Sequence, residues 1–210
     1  MNQHQLIKKT FSLDIDSLPS IEVIAKSIKF DGSEDYLGAI DTFKVRKEYI
    51  DYSFCILSHE FISEIINLLQ KLEVNSIIEL ASGCGWLSHW IKKYKFENIT
   101  AIDNMNWAKR DGWNVLDIVK KYDAVKFVKE NQSIDLFILS WPYMDSMAYK
   151  IWKNMKESQY LLYIGEGEGG CTADDQFFEE TFNNRVKCIN LSDSFRSFWG
   201  IHDRPILFKK

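Results

Sequence analysis

The chain has little of what punctuates or cross-links a small secreted domain. Its 210 residues include only three prolines, ten glycines and four cysteines. The cysteines are scattered at Cys55, Cys84, Cys171 and Cys188, with no C-x-x-C pair and no clustered histidines. A zinc site and a disulfide framework are therefore unsupported, and reduced thiols without a bound metal are expected. No linker, repeat or low-complexity segment divides the sequence.

Long apolar runs and blocks of basic charge are also missing. No apolar stretch of about 18 residues, the length that spans a bilayer, occurs, and the N-terminus has no apolar signal core. The formal net charge is −4 and no basic run is present, which disfavours a nucleic-acid partner. These absences predict a soluble, cytoplasmic protein with no membrane partner, and they leave its oligomeric state open.

What the chain does have is apolar and aromatic side chains, at 46% and 14% of residues, which is enough for a substantial core. Residues 1–72 are predicted to be mostly helical, and 58–72 give the clearest pattern, with Ser58 as the predicted N-cap. The apolar face of that helix comprises Phe61, Ile62, Ile65, Ile66, Leu68 and Leu69. This segment predicts a helical N-terminal cap or lid, followed by a second unit at residues 73–210.

From residue 75 onward, short apolar runs alternate with helical stretches. Predicted strands lie at 76–80, 98–103, 114–119, 133–141, 159–165, 186–191 and 205–210. Such alternation is typical of an α/β fold, a doubly wound and mostly parallel sheet with helices on both faces. The last two strands are joined by about a dozen residues without a clear helix pattern, so the last strand is expected to be antiparallel.

Two glycine-rich loops compete for a cofactor. Gly165, Gly167 and Gly170 spell G-x-G-x-x-G, the form of the dinucleotide fingerprint. Only about forty residues follow this loop, too few for a βαβ half with a substrate site. Glu166 and Glu168 within it would also repel a pyrophosphate. A nucleotide-dependent oxidoreductase is therefore disfavoured.

The other loop, in "SIIELASGCGWLSHW", follows the first strand of the alternating region. It reads E-x-A-x-G-x-G, with Glu79 at the strand end and Ala81, Gly83 and Gly85 in the turn. Small residues let a backbone approach a ligand closely. The next strand ends at Asp103, where a carboxylate can accept both hydroxyls of a ribose.

"ELASGCG" followed by "AID" resembles the first two cofactor motifs of class I S-adenosylmethionine-dependent methyltransferases, with Ala81 in place of the first glycine. The resemblance covers roughly residues 75–210. It implies a Rossmann-like sheet of seven strands, S-adenosylmethionine as cofactor, and Glu79 near the ammonium and sulfonium end of that cofactor. Asp123 and Ala124 are similar to the family's adenine-reading D-A pair, although Asp123 also suits a helix N-cap. The implied cofactor-binding residues are Glu79, Ala81, Ser82, Gly83, Gly85, Asp103, Asn104, Asp123 and Ala124.

The end of the fourth strand carries S-W-P-Y, similar to the D/N/S-P-P-Y/F motif of methyltransferases that act on nitrogen. The resemblance implies that Ser140 and the Trp141 carbonyl accept N–H bonds, that Pro142 belongs to the motif, and that Tyr143 stacks on a planar target. Core closure at a strand end is the alternative. Asp145 suits a general base or a helix N-cap.

Glu166 follows the fifth strand and is expected to border the acceptor pocket. The alternative for this loop is a tight turn into a helix capped by Thr172 in a T-x-x-D box. In the cap, Arg46 suits the cofactor carboxylate or, alternatively, a solvent-facing position. The function that results is methylation of a nitrogen in a small-molecule or protein acceptor, by direct in-line transfer without a metal. The alternative is a catalytically inactive S-adenosylmethionine-binding or regulatory module.

Overall fold

The structure is a computed structural model that describes residues 17–28, 36–50, 52–106, 115–186 and 189–210. Its strands are β1 (Ile77–Leu80), β2 (Ile99–Asp103), β3 (Val119–Lys121), β4 (Leu136–Ser140), β5 (Tyr160–Gly165), β6 (Arg185–Val186) and β7 (Arg204–Lys209). Its helices are α1 (Ile21–Ile28), α2 (Tyr36–Tyr49), α3 (His59–Lys71), α4 (Trp86–Lys93), α5 (Ala124–Glu130), α6 (Met147–Asn154), α7 (Asp175–Thr181) and α8 (Ile189–Asp193). A short 3₁₀ turn, Phe182–Asn184, follows α7.

The seven strands form one sheet in the order β3-β2-β1-β4-β5-β7-β6. Strands β1 to β5 are parallel, whereas β7 is antiparallel to both β5 and β6. The predicted fold class is confirmed. Because the chain runs outward from β1 to β3 and then returns to place β4 on the other side of β1, the switch point of the sheet lies between β1 and β4.

The central strands are buried on both faces, which explains why they are mostly apolar, with Glu79 of β1 as the exception. One core lies on the face covered by α3 and α4, where Phe61, Ile65 and Trp90 are almost fully buried. The other core lies under α6 and α7 and includes Trp152 and Phe177. Removing a fully buried aromatic side chain of this kind typically costs about 3–5 kcal/mol of stability.

The N-terminal helices divide between the main core and a smaller one. Helix α3 begins at a Ser58 N-cap, whose Oγ accepts the Phe61 N–H at 3.0 Å, so the predicted cap is confirmed. A separate cluster holds α1 and α2 against the segment before β7. Its members are Ile24, Val45, Tyr49, Ile56 and Phe198. The division of the chain at residue 72 stays a prediction.

Two strand predictions were wrong in place. The strand predicted at 114–119 is β3, which begins only at Val119, because the residues before it turn through a Val119 N–H bond to the Leu116 carbonyl. The strand predicted at 186–191 is limited to β6, and residues 189–193 form α8. Leu191 of that helix packs into the core, so the apolar character of this segment reflects the packing of a helix rather than the pairing of a strand. Residues 107–114 and 187–188 lie outside the described part. In the part of the chain that the structure describes, no helix is both long and apolar enough to cross a membrane.

Candidate functional site

The site lies where β1, β2, β4 and β5 end, here called the carboxyl edge. Parallel strands bring their carboxyl ends to one side of a sheet, and ligands of open α/β folds bind there beside the switch point. The loop after β1, residues 81–85, is the first glycine loop, and the loop after β5, residues 165–170, is the second glycine loop. The amino end of β7 reaches the same edge because that strand is antiparallel.

Three residues of the first glycine loop have left-handed backbone, with φ of 50° at Ala81, 57° at Gly83 and 83° at Gly85. A Cβ on Gly85 would lie 2.4 Å from Val119 Cγ2, so this glycine is required by packing. A Cβ on Gly83 would meet no atom of the described residues within 4 Å. The loop therefore turns tightly against β3 and keeps an open side at Gly83.

Asp103, at the end of β2, joins that strand to the first glycine loop. It is buried, its Oδ2 accepts the Gly83 N–H at 2.9 Å, and its Oδ1 accepts the Met105 N–H at 2.7 Å. These two bonds fix the carboxylate at the end of β2, beside the first glycine loop. The neighbouring Asn104 is exposed and its Oδ1 accepts the Asn106 N–H. The structure thus brings together the loop and the predicted ribose carboxylate.

Glu79 lies buried beneath the same loop. Its Oε2 accepts both the Ser88 N–H at 3.0 Å and the Ser88 hydroxyl at 2.5 Å. The pKa of Glu79 is raised to about 7, mainly by burial and also by the charge of Asp103, while the hydrogen bonds from Ser88 oppose the shift. Glu79 is consequently poised to gain or lose a proton near neutral pH.

The remaining predicted cofactor residues differ in whether their side chains already have partners within the protein. Asp123 is exposed and caps α5, because its Oδ1 accepts the Lys126 N–H at 2.8 Å. Ala124 is buried against the second core. Ser82 has a buried Oγ with no hydrogen-bond partner among the described residues. Asp123 therefore already has a structural task, whereas Ser82 still has an unused polar atom at the turn.

Ser140, at the end of β4, has its hydroxyl oriented by Cys55. The Ser140 Oγ donates to the Cys55 sulfur at 3.6 Å. Cys55 is fully buried, and burial raises the pKa of its thiol to about 12, which keeps the thiol neutral. Because the hydroxyl proton is directed to sulfur, the lone pairs of the Ser140 oxygen are free to accept a hydrogen bond.

Trp141 is held on several sides in a left-handed conformation with φ of 50°. Its backbone N–H donates to the Ile164 carbonyl at 2.7 Å, and its indole Nε1 donates to Asp203 Oδ2 at 2.9 Å. The ring stacks on Phe54 at 5.7 Å between centroids, and Arg46 Cζ lies 5.7 Å from its centroid. Such strain in a non-glycine residue is often found at functional sites. Arg46 is half-buried over this ring.

The residues after Trp141 point to different uses. Pro142 is buried, whereas the Tyr143 side chain is 69% exposed at the surface. Asp145 is exposed, and its Oδ1 accepts the Met147 N–H at the start of α6. Tyr143 is therefore free to contact a ligand, and Asp145 is engaged at a helix start.

The second glycine loop is folded around its own carboxylate. Glu166 Oε2 accepts the Cys171 N–H at 2.7 Å, and that bond is the main reason that the pKa of Glu166 is lowered. A Cβ on Gly170 would lie 2.4 Å from the Glu166 Cβ. The loop therefore has its own anion in place, which leaves less room for a phosphate.

The predicted Thr172 capping box is wrong. Thr172 is buried and its Oγ1 is bonded to the Tyr163 hydroxyl at 2.6 Å. Asp174 caps α7 instead, through an Oδ1 that accepts the Phe177 N–H at 3.1 Å. Thr172 bonds to Tyr163 because a buried phenol hydroxyl needs a hydrogen-bond partner within the protein.

Sequence reasoning missed Cys55 and Asp203. Asp203 is 6% exposed, and its Oδ1 has no hydrogen-bond partner among the described residues. Burial raises the pKa of Asp203. One signal was present in the sequence: an acidic residue directly before an antiparallel last strand must lie at the carboxyl edge. Cys55 gave no such signal, since its position depends on how the N-terminal segment docks.

The described residues contain no group of three or more His, Cys, Asp or Glu side chains suited to a metal ion. Two cavities lie away from the carboxyl edge. One of about 410 Å³ is lined by His59, Glu60 and Arg196, and another of about 310 Å³ lies at the opposite sheet edge beside Asp135 and Tyr160. Neither is lined by a site residue, so the candidate site is defined by convergent strand ends.

The sequence matches no family model, and no curated protein is significantly similar to it. The structure is similar to N-methyltransferase NodS from Bradyrhizobium japonicum, at 14% identity and a TM-score of 0.45 over 72% of this chain and 97% of that one. It is also similar to human N-acetylserotonin methyltransferase in complex with S-adenosylmethionine, at 14% identity and 0.43 over 97% and 62%. A third similar structure is an S-adenosylmethionine-dependent methyltransferase from Clostridium acetobutylicum, at 13% identity and 0.44 over 71% and 90%. At such low identity the likeness concerns the fold, and function has to be inferred from the site itself.

Proposed function

We propose that this chain is an S-adenosylmethionine-dependent methyltransferase that acts on a nitrogen of a small-molecule or protein acceptor. The observation that carries the proposal is the hydrogen bond between the Gly83 N–H and the Asp103 carboxylate. An open glycine turn after the first strand is tied by a 2.9 Å hydrogen bond to a buried carboxylate at the end of the second strand. This pairing offers close backbone approach and ribose recognition in one place.

The polar groups at the carboxyl edge fit this cofactor. The cofactor would lie against the loop backbone at the open side of Gly83, within reach of the buried and unpartnered Ser82 Oγ. Asp103 would accept hydrogen bonds from its ribose hydroxyls. Glu79, once deprotonated, would attract its ammonium group. None of these contacts needs a phosphate cradle. When bound, the cofactor supplies an electrophilic methyl group on a sulfonium centre.

The residues after β4 would orient the acceptor. The Ser140 oxygen has its proton directed to Cys55, which leaves lone pairs to accept an acceptor N–H. The Trp141 carbonyl is the second proposed acceptor, and the exposed Tyr143 ring is the proposed stacking wall. Because no covalent intermediate is required, catalysis would come from proximity and alignment, effects worth up to roughly 7–11 kcal/mol in the best intramolecular cases.

One observation favours the alternative, a module that binds the cofactor without turnover. The Trp141 ring is contacted by Phe54 and lies near the Arg46 guanidinium, so the cap segment covers the end of β4. An acceptor would have to displace or pass these side chains. Activity and cofactor binding must therefore be measured separately.

The binding test is calorimetric titration with S-adenosylmethionine and, in parallel, with NAD. We expect micromolar S-adenosylmethionine binding to the wild type, a loss of at least tenfold in Asp103→Ala, and no NAD binding. Asp145→Ala is the matched control, because it removes an exposed carboxylate at the same edge. Thermal melting checks that each variant is folded, and Asp103→Asn serves if Asp103→Ala is not. Absence of binding to the wild type would refute the proposal.

The activity test follows S-adenosylhomocysteine formation with a panel of amines. Ser140→Ala is expected to lower turnover by roughly tenfold or more with cofactor affinity unchanged, since it removes an orienting acceptor. Binding that is retained with no turnover on any amine would favour the inactive module instead.

A further inference from the structure

We propose that Asp203 binds the methyl acceptor through its Oδ1 oxygen, and that the acceptor is an amine that carries an N–H and is cationic in solution. This inference rests on the proposed function and deepens it. It assigns an acceptor-binding role to a residue outside both glycine loops and outside the S-W-P-Y motif. Four features support it: the position of Asp203, its unused oxygen, the charge around it, and the exposed aromatic rings near Trp141.

The position of Asp203 follows from the sheet. It directly precedes β7, whose first residue, Arg204, pairs with Gly165 at the end of β5. The Trp141 indole donates to its Oδ2 at 2.9 Å, which fixes the carboxylate beside the end of β4. Asp203 therefore lies next to the residues proposed to orient the acceptor.

The two oxygens of this carboxylate are used unequally. Oδ2 is bonded to Trp141, whereas Oδ1 is buried without a partner in the part of the chain that the structure describes. The residue as a whole is only 6% exposed. A buried carboxylate oxygen without a hydrogen bond is costly, and native proteins keep few of them, so an unused one at a strand-end site indicates a ligand donor.

The charge around Asp203 favours a cationic ligand. Glu166 interacts electrostatically with it, and the Ser197 hydroxyl donates to its backbone carbonyl at 2.9 Å. No Lys or Arg among the described residues forms an ion pair with it. Burial is the main reason that the pKa of Asp203 is raised, and the charge of Glu166 raises it as well. An ammonium group would supply an opposite charge and the missing donor together, and by passing one proton to the Asp203 carboxylate it would free the nitrogen lone pair that receives the methyl group.

Exposed aromatic rings lie around Trp141, the residue whose indole is bonded to this carboxylate. Phe54 is 40% exposed where it stacks on Trp141, and Tyr143 is 69% exposed on the adjoining turn. Ring faces attract cations as well as apolar groups. An arylalkyl amine therefore matches both features, and 2-phenylethylamine is a suitable probe.

The wild-type experiment compares three probes of one size, with the protein saturated in S-adenosylhomocysteine. Calorimetry is expected to show binding of 2-phenylethylamine at least tenfold tighter than binding of 2-phenylethanol or 3-phenylpropionate. Equal binding of the alcohol would overturn the proposal, because a neutral donor would then suffice. No binding of the amine would also overturn it. S-adenosylhomocysteine itself is titrated into the protein first, so that failure to bind the cofactor is recognised separately and refutes only the proposed function.

The variant experiment uses Asp203→Asn. Its amide oxygen still accepts the Trp141 indole N–H, while its NH₂ group takes the place of Oδ1 and offers a donor in place of an acceptor. We expect amine binding to weaken at least tenfold and cofactor affinity to stay within twofold. Asp145→Asn removes an exposed carboxylate at the same edge and is expected to change amine binding less than twofold. An equal loss in both variants, or no loss in Asp203→Asn, would contradict the assignment. If Asp203→Asn does not fold, the wild-type probe series decides.

Discussion

The two glycine loops lie at the same sheet edge and are built in opposite ways. The first glycine loop keeps an open side at Gly83, and its nearby carboxylates lie at the end of β2 and beneath the turn. The second glycine loop closes on Glu166, whose carboxylate accepts N–H bonds that an anionic ligand would otherwise receive. Glycine spacing therefore indicates only that a backbone turns tightly. The side chains beside the turn decide whether a ligand has room.

The two loops also shift the pKa values of their glutamates in opposite directions. Burial raises the pKa of Glu79 to about 7, whereas a backbone N–H lowers the pKa of Glu166. Desolvation disfavours a charged carboxylate, and hydrogen bonds to it favour the charge. The first loop thus has a carboxylate that a cationic ligand can ionise, and the second has one that is already a structural anion.

The largest expected effect distinguishes the two glycines of the first loop. Gly85→Ala would place a Cβ 2.4 Å from Val119 Cγ2 in left-handed backbone. We expect a loss of about 3 kcal/mol in the free energy of unfolding, from overpacking and backbone strain together. Gly83→Ala has open space and should lose only about 1 kcal/mol from its left-handed φ. Urea denaturation of the two variants measures the difference. Equal losses would mean that Gly83 is packed rather than open.

The second expected effect is a pH dependence that separates the two glutamates. Because the folded-state pKa of Glu79 is raised, it contributes stability that is fully present below its unfolded pKa and is lost as pH rises toward 7. In Glu79→Gln, the one carbonyl oxygen can accept both Ser88 bonds, and there is no charge to bury. The free energy of unfolding of this variant, relative to that of the wild type, should therefore rise by about 3 kcal/mol as the pH goes from 4.5 to 8. The readout is urea denaturation across that pH range.

Glu166→Gln is the matched control for this pH series. The lowered pKa of Glu166 means that its contribution is present above its unfolded pKa and is lost as pH falls. The variant should therefore be less stable than the wild type at neutral pH, and the gap should close on acidification. Parallel pH profiles for the two variants would contradict the opposite environments assigned to the two loops.

Much of the sheet could be predicted because its central strands are buried on both faces. Strand β4 reads as an almost unbroken apolar run and β1 as one interrupted only by Glu79, and strand order then placed Asp103 beside the first glycine loop. Strand β3 was misplaced because it is an edge strand with exposed Lys120 and Lys121, so it carries no apolar run. The hydrophobic pattern of a sequence indicates which residues are buried, and an edge strand has few buried residues.

The acceptor side of the site could be predicted only in part. The S-W-P-Y stretch marked the end of β4, but Cys55 and Asp203 reach it from distant parts of the chain. Their contacts with Ser140 and Trp141 span 85 and 62 residues. Such contacts depend on tertiary docking, which residue spacing does not encode. An antiparallel last strand was predicted, and that alone was enough to bring the residue before it to this edge.

The smallest expected effect concerns Ala81, which stands where the family pattern has glycine and has a φ of 50°. Left-handed backbone costs a residue with a Cβ about 1 kcal/mol, so Ala81→Gly would relieve that strain. Glycine also raises the entropy of the unfolded chain, which offsets about 0.4–1 kcal/mol of the gain. We therefore expect a net change of about 0.5 kcal/mol or less in urea denaturation. Ala148→Gly, in helix α6, is the control and should lose about 1–2 kcal/mol, because it lowers helix propensity, removes a buried methyl group and gains no strain relief. A similar loss in both variants would mean that the Ala81 methyl group contributes packing, since its side chain also contacts the second core.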